Sequence, residues 1–327
     1  MSYTIRAMFP AICLTLILPC SQIAMAADPA PTKDAKPAET PVERAALPSR
    51  SQEDALALER SVPQAEQQQL QAGDDSFLAL WKPANIDEPK GAVVIVPGAD
   101  ESPDWPNTVG PLRRKLPDVG WSSLSLSMPD AYNDVFARAA DPAPAGDKAP
   151  ADKDKPKDAQ AKTPDPAASA EADAAAAAEQ AAAQAELAKA NAEKIFARID
   201  SAVAFAQQNK ARTVVLLGHG TGAYWAARYM SEHASPAVQK LVMVTAVDTG
   251  KDTPTLLELL PTLKVATADF VNKERTVARQ QAQDRLDASK RVKNARFTQV
   301  ALSTIAGNPA MEQDQLFRRV RGWLESQ

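Results

Sequence analysis

The chain has 327 residues, 37 of them basic and 41 acidic, for a net charge of −4. Mild acidity suits solubility and is wrong for wrapping nucleic acid, whose phosphates demand a cationic surface. Two histidines and two cysteines are too few for a His- or Cys-built metal site, so no metal and no cofactor are expected.

The amino terminus reads as a secretory leader. Arg6 precedes an apolar run from Ala7 to Leu18, and Ala24-Met25-Ala26 supplies a small-residue cleavage pattern ahead of Ala27. The run is shorter than the about 20 residues that span a bilayer. Residues 1–26 are therefore expected to be a signal peptide, and Pro19 disfavours lipid attachment at Cys20. Cys13 and Cys20 would both leave with the leader, which excludes disulfides and thiol nucleophiles from the mature chain. No later stretch of 18 or more apolar residues occurs. The mature protein is expected to be soluble rather than transmembrane, in the periplasm or secreted.

Residues 27–50 are rich in Ala, Pro and charge and read as a disordered lead-in. A domain is expected over residues 51–327. Leu56–Gln71 reads mainly as helix, with Leu56, Leu58 and Leu70 among its apolar positions and a break near Pro63. Strands follow at Ser76–Lys82 and Gly91–Pro97, a helix at Pro111–Val119, and an alternating strand at Trp121–Met128. Residues 139–168 return to Asp, Lys, Pro and Ala. Such a composition cannot bury enough apolar surface to offset its ordering entropy, so it reads as a disordered insertion.

Residues 169–190 become Ala-rich and proline-free, with Ser169 as a candidate N-cap, and read as helix. The helix continues through Glu193–Asn209, where Ile195, Ile199, Ala202, Val203 and Ala206 make a core-facing stripe. Its Ala-rich beginning is expected to project into solvent, with a spacer role favoured over a partner-binding one. A strand at Arg212–Leu217, a helix at Gly222–Glu232 and a strand at Lys240–Ala246 follow. A short helix at Thr255–Leu260 leads to a strand at Thr262–Ala268. A helix at Thr276–Asn294, a strand at Phe297–Ile305 and a helix at Asp314–Ser326 close the chain. Buried strands alternating with helices predict an α/β domain with a mainly parallel sheet, helices on both faces, and functional loops at the carboxyl ends of the strands.

The strand ending at Leu217 runs into Gly218-His219-Gly220-Thr221-Gly222 and then a helix. Strand, sharp Gly-rich turn and helix form the setting of a nucleophile elbow, in which the central residue is normally Ser. Here it is Gly220, which has no side chain to attack with. With Gly91–Pro97, Asp104-Trp105-Pro106, Leu112-Arg113, Gly120-Trp121 and the terminal Arg319-Val320-Arg321-Gly322-Trp323-Leu324, this order of motifs resembles the α/β-hydrolase superfamily. More closely, it resembles an exported bacterial family catalogued only as a domain of unknown function. The resemblance covers about Leu56–Asp130 and Asn191–Gln327 and implies an α/β-hydrolase-like fold without an established reaction.

The resemblance also implies a degenerate triad. The nucleophile position is vacant at Gly220. Asp269, or as second choice Asp248, stands for the acid. The loop after the last strand, Ala306-Gly307-Asn308-Pro309-Ala310, contains no histidine for the base. His233 ends the helix after the elbow, on the wrong part of the fold. Gly98 and Ala99, with the N–H of Thr221, stand at oxyanion positions.

His219 reads as a packed residue before a base or ligand contact, and Thr221 as a helix cap before a nucleophile. Asp269 is either a vestigial acid or an ordinary loop-end residue. Trp105 reads as burying its ring over the sheet edge before lining a pocket, Trp121 and Trp323 as core anchors, and the Arg318-Arg319/Arg321 group as a solvated face. The favoured expectation is a non-catalytic protein that binds a small molecule or an envelope protein. The enzyme alternative is a weak ester hydrolase working through His219 or Thr221, and a third reading is a spacer acting through the low-complexity arms.

Overall fold

The computed structural model describes residues 48–130, 166–233, 235–250 and 254–326. The expectations about the signal peptide, both cysteines, the lead-in up to residue 47 and the insertion up to residue 165 lie outside these residues.

Eight strands form one sheet. They are β1 Gln67–Ala72, β2 Asp75–Lys82, β3 Gly91–Val96, β4 Trp121–Leu126, β5 Val214–His219, β6 Val238–Val244, β7 Ala266–Asn272 and β8 Phe297–Leu302. Their spatial order is β1-β2-β4-β3-β5-β6-β7-β8. Only the pairs made by β2 are antiparallel. The helices are α1 Arg50–Ser61, α2 Val109–Lys115, α3 Pro166–Gln208, α4 Thr221–Glu232, α5 Leu256–Leu259, α6 Thr276–Arg291 and α7 Pro309–Glu325.

Two apolar clusters sandwich the sheet. On one side Val94, Leu216 and Leu241 meet Ile199, Val203, Tyr224 and Leu256 from α3, α4 and α5. On the other, Val93, Ile95, Leu217 and Phe270 meet Leu112 of α2 and Leu316 and Trp323 of α7. Both faces being covered explains why β3 is buried along its whole length. The same reason corrects the alternation expected in β4, all of which is buried, Ser122, Ser123 and Ser125 included. The Ser123 hydroxyl donates to the carbonyl of Arg113 (2.7 Å), which lowers the cost of burying it.

Two other elements differ from expectation. Gln67–Ala72 is a strand, not the end of a helix. It pairs antiparallel with β2 through a turn at Gly73 (φ 61°), and Leu70 and Ala72 face inward while Gln69 and Gln71 face water. The helix before it stops at Ser61, ahead of Pro63, and presents Leu58 to the core while Leu56 stays exposed. The strand expected at Thr262–Ala268 begins instead at Ala266. Leu260–Thr262 is a tight helical turn that carries Leu259, Leu260 and Leu263 into the core.

The long α3 shows a division along its length. Residues 177–190 are exposed, and packing begins at Ala192 with Ile195, Phe196, Ile199, Ala202, Val203 and Ala206. No helix among the described residues is long and apolar enough to cross a membrane.

Candidate functional site

β5 ends at His219, and α4 begins two residues later at Thr221. The residue between them, Gly220, has φ 57° and ψ −123°, a conformation strained for any residue with a Cβ. Backbone bonds hold it there: its N–H donates to the carbonyl of Val244 (3.0 Å), and its carbonyl accepts from Val247 (3.0 Å). The flanking glycines are obligatory. A Cβ on Gly218 would lie 2.3 Å from the Cα of Ala223, and one on Gly222 would lie 2.2 Å from the carbonyl oxygen of Val96. A Cβ on Gly220 would meet nothing within 4 Å. The turn therefore has the backbone of an elbow, with open space where the nucleophile would stand.

The loop after β3 faces this turn. The N–H of Ala99 donates to the Thr221 hydroxyl (2.9 Å), and the N–H of Gly98 donates to Glu101 Oε2 (2.8 Å). This corrects the capping role expected of Thr221. No side chain caps α4, because the hydroxyl is turned across to the β3 loop. Both loop amides that would line an oxyanion hole are thus bonded within the protein.

His219 is not simply packed in the core. Its Nδ1 lies 2.7 and 2.8 Å from the two carboxylate oxygens of Glu101, and both side chains keep a little solvent access. Glu101 went unnoticed in the sequence, since no one-dimensional pattern ties a residue after β3 to one at the end of β5. Arg50 and Asp130 were missed for the same reason. Arg50 donates to the carbonyl of Ala99, while Ser51 gives Asp130 its N–H and its hydroxyl, each at 2.8 Å. These contacts pin the start of α1 to the β3 loop and to the end of β4. Burial pushes the Asp130 carboxyl up, but hydrogen bonds from Ser49 and Ser51 and the charge of Arg50 outweigh it and hold the group below the usual carboxylate range.

The expected acid lies elsewhere. Asp269 is in the middle of β7, fully buried and paired with Arg285 of α6 (2.9 Å), and it also accepts from Gln299 (3.2 Å). Because the strand begins later than expected, Asp269 falls within it and faces α6 rather than the carboxyl-end loops. Asp248, the second choice, accepts the N–H of Leu256 (2.8 Å) at the start of α5. The ends of β7 and β8 instead present Asn272 and Thr304, joined by a hydrogen bond of 2.7 Å.

Trp105 is partly buried against the α2/α7 cluster, in which Trp121 and Trp323 are buried. Arg318, Arg319 and Arg321 are exposed. His233 closes α4 at its far end, stacked on Tyr229 at 5.5 Å between ring centres. A cavity of about 100 Å³ lined by Thr245, Asn272, Ser303 and Gln313 opens at the carboxyl ends of β6 to β8. A larger one, about 680 Å³, lies at the amino ends of β6 and β7, away from the elbow. Among the described residues no cluster of three metal-ligating side chains occurs.

Solved structures share this frame. The dienelactone hydrolase of Anabaena variabilis superposes with a TM-score of 0.52 at 12% identity, over 80% of this chain and 98% of that one. An esterase of Pyrococcus furiosus gives 0.51 at 11% identity, over 80% and 90%. Est1E of Butyrivibrio proteoclasticus gives 0.50 at 8% identity, over 80% and 98%. At such identities the likeness shows the fold alone, which is α/β-hydrolase-like. No curated protein matches the chain. A family profile spans residues 9–326, and the chain belongs to the family described as protein of unknown function (DUF3530).

Proposed function

We propose that this is an exported protein of the cell envelope that has given up serine acyl transfer and works by binding a small ligand, or an envelope partner, at the carboxyl end of its sheet. The observation that carries this reading is the state of the elbow. Gly220 holds the strained turn without a nucleophile, and the amides of Gly98 and Ala99 are engaged by Glu101 and Thr221. Asn272 and Thr304 at the ends of β7 and β8 supply neither a carboxylate nor an imidazole. The acyl-enzyme pathway needs all of these parts, and losing the nucleophile or the base alone removes most of the rate.

A binding role is supported by what persists. The space above Gly220 is open, the first N–H groups of α4 border it, and Val247 exposes apolar surface beside it. The esterases and dienelactone hydrolase of like fold make carbonyl compounds the first ligand class to test. Export is supported by Arg6, the Ala7–Leu18 run and Ala24-Met25-Ala26.

Two measurements test the reading. The mature chain is exposed to a fluorophosphonate probe, which labels activated serines, and no labelling is expected. Calorimetric titration with 2-octanone, an unreactive mimic of a medium-chain ester, is expected to saturate and to weaken at least tenfold in Val247→Asp. Labelling sinks the proposal, and an absence of ketone binding sinks its small-ligand form. An alkaline phosphatase fusion after residue 50 tests export and should be active.

A further inference from the structure

The pairing of His219 with Glu101 is an arrangement that a site for passive binding does not require. We propose that the two form a carboxylate–imidazole pair that activates water against an ester carbonyl seated over Gly220, so that the cleft turns esters over slowly without a covalent intermediate. This goes beyond the binding reading and rests on it, because the carbonyl must first occupy the same space.

Two observations support the step: the contact of His219 with Glu101 and the open space at Gly220. Glu101 contacts Nδ1 at 2.7 and 2.8 Å, so a neutral imidazole donates its Nδ1 proton to the carboxylate and keeps the Nε2 lone pair for a base. Nε2 has no protein partner among the described residues, and the ring keeps access to solvent. Glu101 is itself steadied by the N–H of Gly98. The vacancy at Gly220 leaves room where a serine side chain would stand, which is where a water molecule has to sit. In the step, Nε2 takes a proton from water as the water oxygen bonds to the carbonyl carbon. The carbonyl π electrons move to oxygen, for which the N–H of Thr221 at the start of α4 is the donor we assign. Collapse breaks the ester C–O bond, and the departing alkoxide takes the proton back from Nε2, leaving an acid and an alcohol. The Thr221 hydroxyl restrains this chemistry by holding the N–H of Ala99, the second donor an oxyanion would use.

The test is hydrolysis of p-nitrophenyl acetate and butyrate by the mature chain after fluorophosphonate treatment, which silences contaminating serine hydrolases. Steady turnover without a burst is expected. His219→Ala should lower kcat about 10²-fold, the usual size of a general-base effect. Glu101→Gln should lower kcat with KM nearly unchanged and shift the pH profile, with partial rescue by Glu101→Asp. Thr221→Ala should raise kcat about tenfold or more by releasing the Ala99 donor. His233→Asn should match the native rate. Rates unchanged by His219→Ala, or no turnover in both the native protein and Thr221→Ala, overturn the proposal. If 2-octanone still binds in that case, the binding reading stands without the catalytic one.

Discussion

The amide of Ala99 donates to the hydroxyl of Thr221 across 2.9 Å, joining the loop after β3 to the first turn of α4. In an acyl-transfer site that amide would be held ready for an oxyanion. Here the protein supplies its own acceptor, next to an elbow whose central residue is glycine. Several outcomes can be anticipated from this arrangement and from the contacts around it.

Gly220→Ser should fold, since a Cβ there meets nothing within 4 Å and the strained turn is held by bonds from Val247 and to Val244. It should not become an efficient esterase, because the end of β7 and the loop after β8 offer Asn272 and Thr304. Adding Asn272→Asp and Thr304→His places an acid and a base on two neighbouring loop ends. The triple variant should hydrolyse p-nitrophenyl butyrate at least about tenfold faster than Gly220→Ser alone, a modest share of a triad's worth. Equal rates would show that these loop ends are not where the acid and base belong.

Gly222→Ala should be poorly soluble or strongly destabilised. The new methyl would lie 2.2 Å from the carbonyl oxygen of Val96 and 2.3 Å from that of Pro97, backbone atoms that cannot rotate away. A loss of about 3 kcal/mol is at the upper end of ordinary overpacking costs. Urea denaturation should place its midpoint far below that of Gly220→Ala, whose methyl points into open space.

Asp269→Ala should damage folding and leave the site's chemistry alone. The change strands the buried Arg285 guanidinium, and breaking a buried pair from one side costs about 3–5 kcal/mol. If the variant is stable enough to titrate, its affinity for 2-octanone should stay within about twofold of native, well under the 1.4 kcal/mol of a tenfold change. Lost binding in a folded variant would return Asp269 to the functional residues.

Acid should loosen the start of α1. The carboxyl of Asp130 is held below its ordinary value, so it stabilises the fold above the unfolded pKa of about 3.9 and loses that contribution as pH falls through the lower folded value. Hydrogen-exchange protection at Ser51 and its neighbours, corrected for the intrinsic pH dependence of exchange, should fall below about pH 4, where protonation removes the charge that strengthens the bonds from Ser51 and the attraction of Arg50. Asp130→Asn, which loses the charge facing Arg50, should show reduced protection there already at neutral pH, with little further change in acid. A native protein whose α1 protection factors are flat down to pH 2 would refute the latch.

Much of this architecture was legible in one dimension. Gly91–Val96 and Val214–His219 are continuous apolar runs, and only a sheet covered on both faces buries such runs along their length. The Gly-x-Gly-x-Gly turn between a strand and a helix was readable too, because two of its glycines are required by contacts that any such turn makes. The vacancy at Gly220 followed from the residue alone. What stayed hidden depended on register and on long-range contact. A shift of a few residues in the start of β7 moved Asp269 from a loop to the middle of a strand, facing Arg285. Glu101 and His219 are 118 residues apart and carry no periodic signal, so their contact arises only when parallel strands β3 and β5 end side by side. Local pattern reports which face of an element is apolar, whereas the partner of a polar side chain is decided by which loop ends the sheet brings together.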